Sequence, residues 1–249
     1  MFLTASDNAL ARQNPSRFRN AWLELLVVSA LWAVLSIGIW GAAWALFGEP
    51  AGRAMPAAML AFVFAIWPFR RALTSLLELS LPSDSTVRAV GAAALVMLLT
   101  MSLLSLRPDW RKDPWLPRWI VWIRPWEKLY RPLLLMPMWG AWAMIACPQF
   151  CHNRGKADPA TDWFAKGCGP MTTAIVMGLL LALTATYYNY LGWWQLPIPA
   201  CGVVGGVASG IVFCWREGGL TRKTLLATNL ATQMVFLLGS LTTTNLIYW

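Results

Sequence analysis

Residues 201–229 read CGVVGGVASGIVFCWREGGLTRKTLLATN and join two apolar segments through a short polar turn. Gly202, Gly206 and Gly210 recur every four residues, so they share one face of a helix. Glycines at this spacing let a neighbouring backbone approach closely, which is how helices associate in lipid. The turn carries Arg222 and Lys223, which are costly to place in hydrocarbon. The pattern predicts a tightly packed membrane helix, a polar turn at the membrane surface and a returning helix.

The composition extends this prediction to the whole chain. Of the 249 residues, 58% are hydrophobic and 12% are charged, and the mean hydropathy is +0.52. Soluble domains contain about 25% charged residues, so this is the composition of a membrane protein. There are seven apolar runs: Ala21–Phe47, Ala54–Phe69, Val87–Leu106, Leu133–Cys147, Met171–Trp194, Leu196–Trp215 and Thr224–Trp249. We predict an all-α, polytopic integral membrane protein whose residues 1–249 form one transmembrane domain of about seven helices.

The positive charge of the chain favours lipid headgroups as binding partners. The formal net charge is +9, and most of the cations lie in the loops, where lipid headgroups are simpler partners than nucleic acid. The polar N-terminus, residues 1–20, places Arg12, Arg17 and Arg19 ahead of the first span. Orientation follows Lys and Arg near the spans, so we expect a cytoplasmic N-terminus. The expected setting is the lipid bilayer of a bacterial inner or intracytoplasmic membrane.

Residues 107–132 form the most unusual loop, because tryptophans and cations are interleaved with prolines. Four tryptophans recur at helical spacing and share one face: Trp115, Trp119, Trp122 and Trp126. Arg118 and Arg124 fall mostly off that face. The pattern is typical of an in-plane amphipathic helix with indoles at the headgroup boundary and cations on phosphates. Trp and Arg also dominate interface hot spots, so contact with another membrane protein is the alternative.

The five cysteines leave two interpretations open. The segment Cys147-Pro-Gln-Phe-Cys151-His152 resembles a spaced haem attachment site or, together with Cys168, a metal site. Alternatively these are ordinary helix-end cysteines, or a disulfide if that side of the membrane is oxidising. His152 is the only histidine, which argues against haem. Cys201 and Cys214 lie in an apolar segment and are interpreted as small hydrophobic residues.

Two further groups of polar residues admit structural interpretations. In the polar loop 148–169, Asp158 and Asp162 stand four residues apart beside Lys156 and Lys166. Interleaved lysines favour a solvated loop with local ion pairs over a metal site. In the last apolar segment the polar residues are expected to need partners on adjacent helices: Asn229, Thr232, Gln233, Thr242, Thr243, Thr244 and Asn245.

Three segments resemble one enzyme family. The turn residues Gly218–Lys223, here called the motif turn, are followed by TLLATN at 224–229. Together they resemble the Gly-Gly-Leu-Thr-Gly-Asp-Thr-Leu-Gly-Ala-Thr-Asn signature of the cobalamin synthase family (adenosylcobinamide-GDP ribazoletransferase). Asp84 and Ser85 match that family's Asp-Ser pair ahead of a helix, and residues 133–144 resemble its Leu-Leu-x-Pro-x-x-Gly-Arg-Trp-Ala-Met helix. The resemblance covers most of the chain from about Ser83 onward.

The departures from the family pattern concern the groups that a magnesium–pyrophosphate reaction requires. The family's Gly-Asp pair is Arg222-Lys223 here, and its helix arginine is Ala141. Its acidic motif, Gly-x-x-His-x-Asp-Gly-x-x-Asp-x-x-Asp, is missing near residues 70–78, where only Glu78 is acidic. Hard cations such as Mg²⁺ prefer oxygen ligands, which arginine and lysine do not supply.

Two functional hypotheses follow. The first is a non-catalytic family member that serves as a structural subunit of a larger membrane complex, with no cofactor and with other integral membrane proteins as partners. The second is a divergent but active ribazoletransferase that uses Mg²⁺. In that case Glu78, Asp84 and Ser85 are the candidate catalytic residues, with Asp158 or Asp162 as further replacements for the lost acids. Capping the following helix is the structural interpretation of Asp84.

Overall fold

The computed structural model describes residues 15–48, 51–66, 70–105, 130–151, 157–188 and 196–247. A 3₁₀ helix, Pro15–Asn20, precedes the α-helices. The α-helices of the described ranges are α1 (Ala21–Phe47), α2 (Ala51–Ile66), α3 (Arg70–Ser80), α4 (Ser85–Leu104), α5 (Tyr130–Phe150), α6 (Pro159–Gly167), α7 (Pro170–Tyr187), α8 (Pro197–Glu217) and α9 (Arg222–Ile247). These ranges contain no strand, so the all-α prediction is confirmed.

Six of the described helices are long and apolar enough to cross a membrane: α1, α4, α5, α7, α8 and α9. The chain is therefore a multi-pass membrane protein. The second predicted run corresponds to α2, which has 16 residues. A helix of that length extends about 24 Å, less than the roughly 30 Å hydrocarbon core. Within the described ranges the sequence thus yields six full-length spans plus this shorter helix.

The helices α5 and α9 form the centre of the bundle. In each of them, 78% of the most apolar window is buried inside the protein, against 17% in α4 and 22% in α7. The helix α9 packs against α8, α5 and α3, while α5 also packs against α1 and α7. The exposed sides of the peripheral helices are rich in Val, Leu, Ile and Met and would contact lipid.

The polar side chains of α9 correct one expectation from the sequence. The hydroxyls of Thr232, Thr242 and Thr243 donate to carbonyls three or four residues earlier on the same helix. The side chains of Thr244 and Asn245 lie outside those that the structure describes. Gln233 donates through Nε2 to Oδ1 of Asn229, also within α9. These bonds form locally because a short hydroxyl reaches the carbonyl of the preceding turn. A bond between helices does occur at Ser240, which accepts from the Tyr188 hydroxyl at 3.3 Å.

The polar segments before α1 and after α5 meet on one side of the bundle. The 3₁₀ helix packs against α6, and Gly167 lies so close to the Arg19 carbonyl that a Cβ there would clash with it. Part of the predicted polar loop, residues 148–169, forms this short helix α6. Its start is capped by Asp158, whose carboxylate accepts from the Thr161 amide.

Candidate functional site

The glycines that recur every four residues, Gly202, Gly206 and Gly210, face α5. A Cβ at Gly202 would lie 2.6 Å from the indole ring of Trp139, and one at Gly206 would lie 2.9 Å from Trp142. At Gly210 the nearest atom would be Sγ of Cys147 at 3.6 Å, an ordinary contact. We call this contact the glycine seam. Its two tightest positions admit no side chain unless a tryptophan moves.

The tryptophan side of the seam is held by further contacts. Trp139 is fully buried, donates from Nε1 to Oγ1 of Thr184 at 3.2 Å and stacks on Phe236 at a centroid distance of 6.1 Å. Trp142 donates from Nε1 to the Thr173 carbonyl at 3.2 Å. These tryptophans were not predicted from the sequence as partners of the glycines. The signal was present, since Trp139, Ala143 and Cys147 have the same four-residue spacing.

The motif turn is organised by backbone geometry and hydroxyl caps. Gly218 has φ 74°, a left-handed conformation that ends α8, and the Gly219 amide donates to the Cys214 carbonyl at 2.9 Å. The next helix begins with reciprocal bonds between Thr221 and Thr224. Each amide donates to the other threonine's hydroxyl oxygen, at 3.0 and 3.3 Å. The glycines and threonines of the motif therefore have structural roles at this turn.

The motif turn meets the end of α3, which follows the region where the family's acidic motif is expected. Lys223 Nζ lies 2.7 Å from Oε2 of Glu78, and both side chains are partly exposed, at 55% and 36%. Arg216 donates from Nη1 to the carbonyls of Leu79 and Ser80 at 2.7 and 3.1 Å. Arg222 is buried. Lys223 of the motif turn is thus ion-paired with Glu78.

The other candidate catalytic residues lie ahead of α4. The Asp84 carboxylate accepts from the Thr86 amide at 2.8 Å and caps that helix, whose first residue is Ser85. Arg88 donates from Nε to the Pro82 carbonyl at 3.0 Å, which closes the same turn. Asp84 therefore has the geometry of a helix cap.

The side chains present do not fit a magnesium site. Among the residues that the structure describes, no three His, Cys, Asp or Glu side chains are grouped so that they could hold a metal ion. Glu78 is bound to Lys223, Asp84 caps α4, and Asp162 pairs with Lys166 at 2.7 Å. The family's arginine position, Ala141, is fully buried in α5.

Two of the cysteines are joined in a pair that the sequence analysis did not predict. Cys151, just after α5, forms a disulfide with Cys214 of α8. The interpretation of Cys214 as a small hydrophobic residue was therefore wrong, because an apolar neighbourhood in sequence does not reveal a cysteine on the adjacent helix. A disulfide sulfur cannot serve as a thiolate ligand, which argues against the metal interpretation of Cys151.

The remaining cysteines are thiols. Cys147 is fully buried, with Sγ 3.7 Å from Sγ of Cys214. Cys168 is also buried, and its carbonyl accepts a bond from Gln149. Burial, and to a smaller extent the Cys147 thiol, raise the pKa of Cys168 to about 12, so it stays protonated at neutral pH. His152 lies outside the described ranges.

The predicted tryptophan-rich surface also falls outside the described residues. It comprises Trp115, Trp119, Trp122 and Trp126 with Arg118 and Arg124.

Comparisons with known proteins identify no relative of this chain. No protein-family profile, curated protein or solved structure matches it.

Proposed function

We propose that this chain is a non-catalytic, cobalamin-synthase-like membrane protein that serves as a structural subunit of a larger membrane complex. The observation that carries the proposal is the ion pair between Lys223 and Glu78. In the resembling family the corresponding turn carries an aspartate and the region near α3 carries the acidic motif, so carboxylates would bind Mg²⁺ against a pyrophosphate. In this chain a lysine occupies that place and neutralises the nearby glutamate.

The roles of the other candidate residues support the same proposal. Asp84, Gly218 and Thr221 each cap the end of a helix. This structural role explains why these motif residues are present without assigning them a role in catalysis. Such a protein keeps the residues that shape its turns and therefore keeps its fold. It lacks the acids that would bind the metal and therefore does not catalyse the transferase reaction. Its lipid-facing apolar helices then provide surfaces for neighbouring subunits.

Assay of the purified protein with adenosylcobinamide-GDP, α-ribazole and Mg²⁺ tests the non-catalytic part. We expect no turnover above the rate without protein. Turnover that disappears in Asp84→Asn would overturn the proposal in favour of the divergent, magnesium-dependent transferase. Asparagine caps helices as well as aspartate does but lacks the charge of a catalytic carboxylate.

The capping role of Asp84 gives a prediction of its own. We expect Asp84→Ala to lower the free energy of unfolding by about 0.5–2 kcal/mol and Asp84→Asn to leave it nearly unchanged. Thermal unfolding in detergent, measured by circular dichroism, distinguishes the two. Equal losses in both variants would mean that the charge, and not the cap, is what the fold needs.

Extraction in a mild detergent, followed by mass spectrometry of co-purifying proteins, tests the subunit part. We expect stable association with other integral membrane proteins. The association should be lost when Trp115, Trp119, Trp122 and Trp126 are changed to serine and kept when exposed Trp215 of α8 is changed. Purification of the chain alone from its native membrane under the same conditions would contradict this part.

A further inference from the structure

Three cysteines lie together and are here called the cysteine cluster: Cys147, Cys151 and Cys214. In this cluster Sγ of Cys214 has two other cysteine sulfurs as possible disulfide partners. Helical geometry continues through the end of α5, because the Cys151 amide donates to the Cys147 carbonyl at 3.1 Å. Residues four apart share a helix face, so both cysteines are directed at α8. Cys214 is bonded to Cys151, and its sulfur lies 3.7 Å from that of Cys147. That separation is a van der Waals contact between a thiol and a disulfide.

An open cleft of about 330 Å³ leads to the bonded pair. Its wall consists of Phe150, Cys151, Ile211, Cys214, Trp215, Gly218 and Gly219. Cys147 is not part of that wall and is fully buried behind it. The volume is at the lower end of the roughly 300–1,000 Å³ of small-molecule sites. Cys151 and Cys214 keep only 3% and 7% of their surface exposed, and they line this cleft, whereas Cys147 has none exposed and does not.

The location of the cluster supplies a second, independent argument. Gln149 ties the end of α5 to the Cys168 carbonyl, and the adjacent Gly167 touches the Arg19 carbonyl of the N-terminal 3₁₀ helix. The cluster and the N-terminus are therefore on the same side. The sequence predicts a cytoplasmic N-terminus, and by that prediction the disulfide faces a reducing compartment. Disulfides there are usually transient, and are catalytic or redox-sensing.

We propose that the cysteine cluster is a thiol–disulfide exchange site that takes a low-molecular-weight thiol through this cleft, with Cys147 as the resolving thiol. The incoming thiolate attacks Sγ of Cys214. The Cys151–Cys214 bond breaks, and Cys151 leaves with the electron pair and takes up a proton. Cys147 then loses its proton and attacks the mixed disulfide at Cys214. The small thiol leaves with the electron pair and is reprotonated, and a Cys147–Cys214 disulfide remains.

The sequence of steps balances without an external oxidant, because one disulfide is exchanged for another and the small thiol is regenerated. The result is a second form of the protein in which a free Cys151 thiol lies on the wall of the cleft. Because Cys147 is fully buried, the resolving step is expected to be slow, within the minutes to hours of uncatalysed disulfide rearrangement. The site does not depend on the proposed role as a complex subunit.

The test uses the full-length protein in detergent, treated with reduced glutathione. The reaction is quenched with acid, free thiols are alkylated, and the disulfide-linked peptides are mapped by mass spectrometry. Once the reaction has run for the minutes to hours that the resolving step requires, we expect the wild type to contain the Cys147–Cys214 disulfide beside Cys151–Cys214, with little glutathione adduct left. In Cys147→Ser the adduct on Cys214 can be removed within the protein only by the reverse attack of Cys151, so it should accumulate severalfold over the wild type.

Cys201→Ser is the matched control, because Cys201 lies on the same helix but packs against Gly239 of α9. It should behave as the wild type. A second measurement uses Cys151→Ser: mild oxidation with diamide should link Cys147 to Cys214. Absence of that disulfide in both the wild type and Cys151→Ser, with equal adduct in Cys147→Ser and wild type, would overturn the proposal and leave a static structural disulfide.

Discussion

The glycine seam and the motif turn are adjacent parts of one helix–turn–helix segment, yet different interactions hold them. At the seam, Gly202 and Gly206 are fitted against two buried indole rings, and shape alone excludes other residues. At the turn, a left-handed glycine, hydroxyl caps and the partly exposed Lys223–Glu78 pair set the geometry.

The difference shows which positions could change without loss of the fold. Close packing at Gly202 and Gly206 leaves no room for even one added carbon, because protein interiors are as dense as organic crystals. At the surface, water and the partner side chain accommodate a change of charge. A charged side chain at residue 223 can therefore change while the helices on either side stay in place.

The largest expected effect comes from breaking the seam. Gly202→Ala forces a methyl group to within 2.6 Å of the Trp139 ring, which is held by Thr184 and Phe236. We expect the free energy of unfolding to fall by about 1–3 kcal/mol, as is typical of overpacking. Thermal unfolding in detergent, followed by tryptophan fluorescence, measures the change.

Gly210→Ala is the control for the seam, because its added carbon would make an ordinary contact at 3.6 Å. We expect it to be neutral or stabilising by up to about 1 kcal/mol, since alanine is the better helix former. If both substitutions have the same effect, the seam is not defined by close approach at Gly202.

An intermediate effect is expected where the turn begins. Gly218 has φ 74°, so Gly218→Ala places a Cβ in the left-handed region and should destabilise the protein by about 1–2 kcal/mol. Gly169→Ala is the matched control, because Gly169 has φ −70° and open space around it. Chemical unfolding in detergent should register a loss for the first variant and almost none for the second.

The smallest expected effect concerns the ion pair itself. A double-mutant cycle with Lys223→Ala and Glu78→Ala should give a coupling energy of about 0.2–1 kcal/mol, as for other exposed pairs, and it should shrink as salt is added. The Asp162–Lys166 pair on α6 provides a reference of similar exposure. A coupling well above that reference would mean that the ion pair contributes substantially to holding α3 against α9.

Much of the architecture follows from the sequence because membrane helices are strongly constrained. Each span needs a long apolar run, and the glycine spacing indicates which face of α8 packs closely. The shortness of α2 agrees with the length of its apolar run, whereas the helix within the polar loop was not predicted. Helix ends depend on caps such as Asp158 and on packing against the 3₁₀ helix, which apolar run length does not encode.

Less of the candidate site than of the fold could be predicted from the sequence. Glu78 and Lys223 could be named separately as an acid and as a replacement for an acid, but their pairing depends on how α3 lies beside α9. Cys214 belongs to an apolar run, and its bond to Cys151 arises only from the crossing of α5 and α8. Hydroxyls of α9 bond within their own helix, which helical geometry alone could have predicted.

The sequence by itself determined that this protein crosses a membrane as a set of apolar helices and which face of α8 packs closely. Only the tertiary structure decided which residues fill the space beside the glycines, that Lys223 neutralises Glu78, and that Cys214 lies between two other cysteines. The physical reason is that hydropathy and helical period are local properties of the chain, whereas a contact between helices depends on their relative position and rotation, set by packing along their whole length.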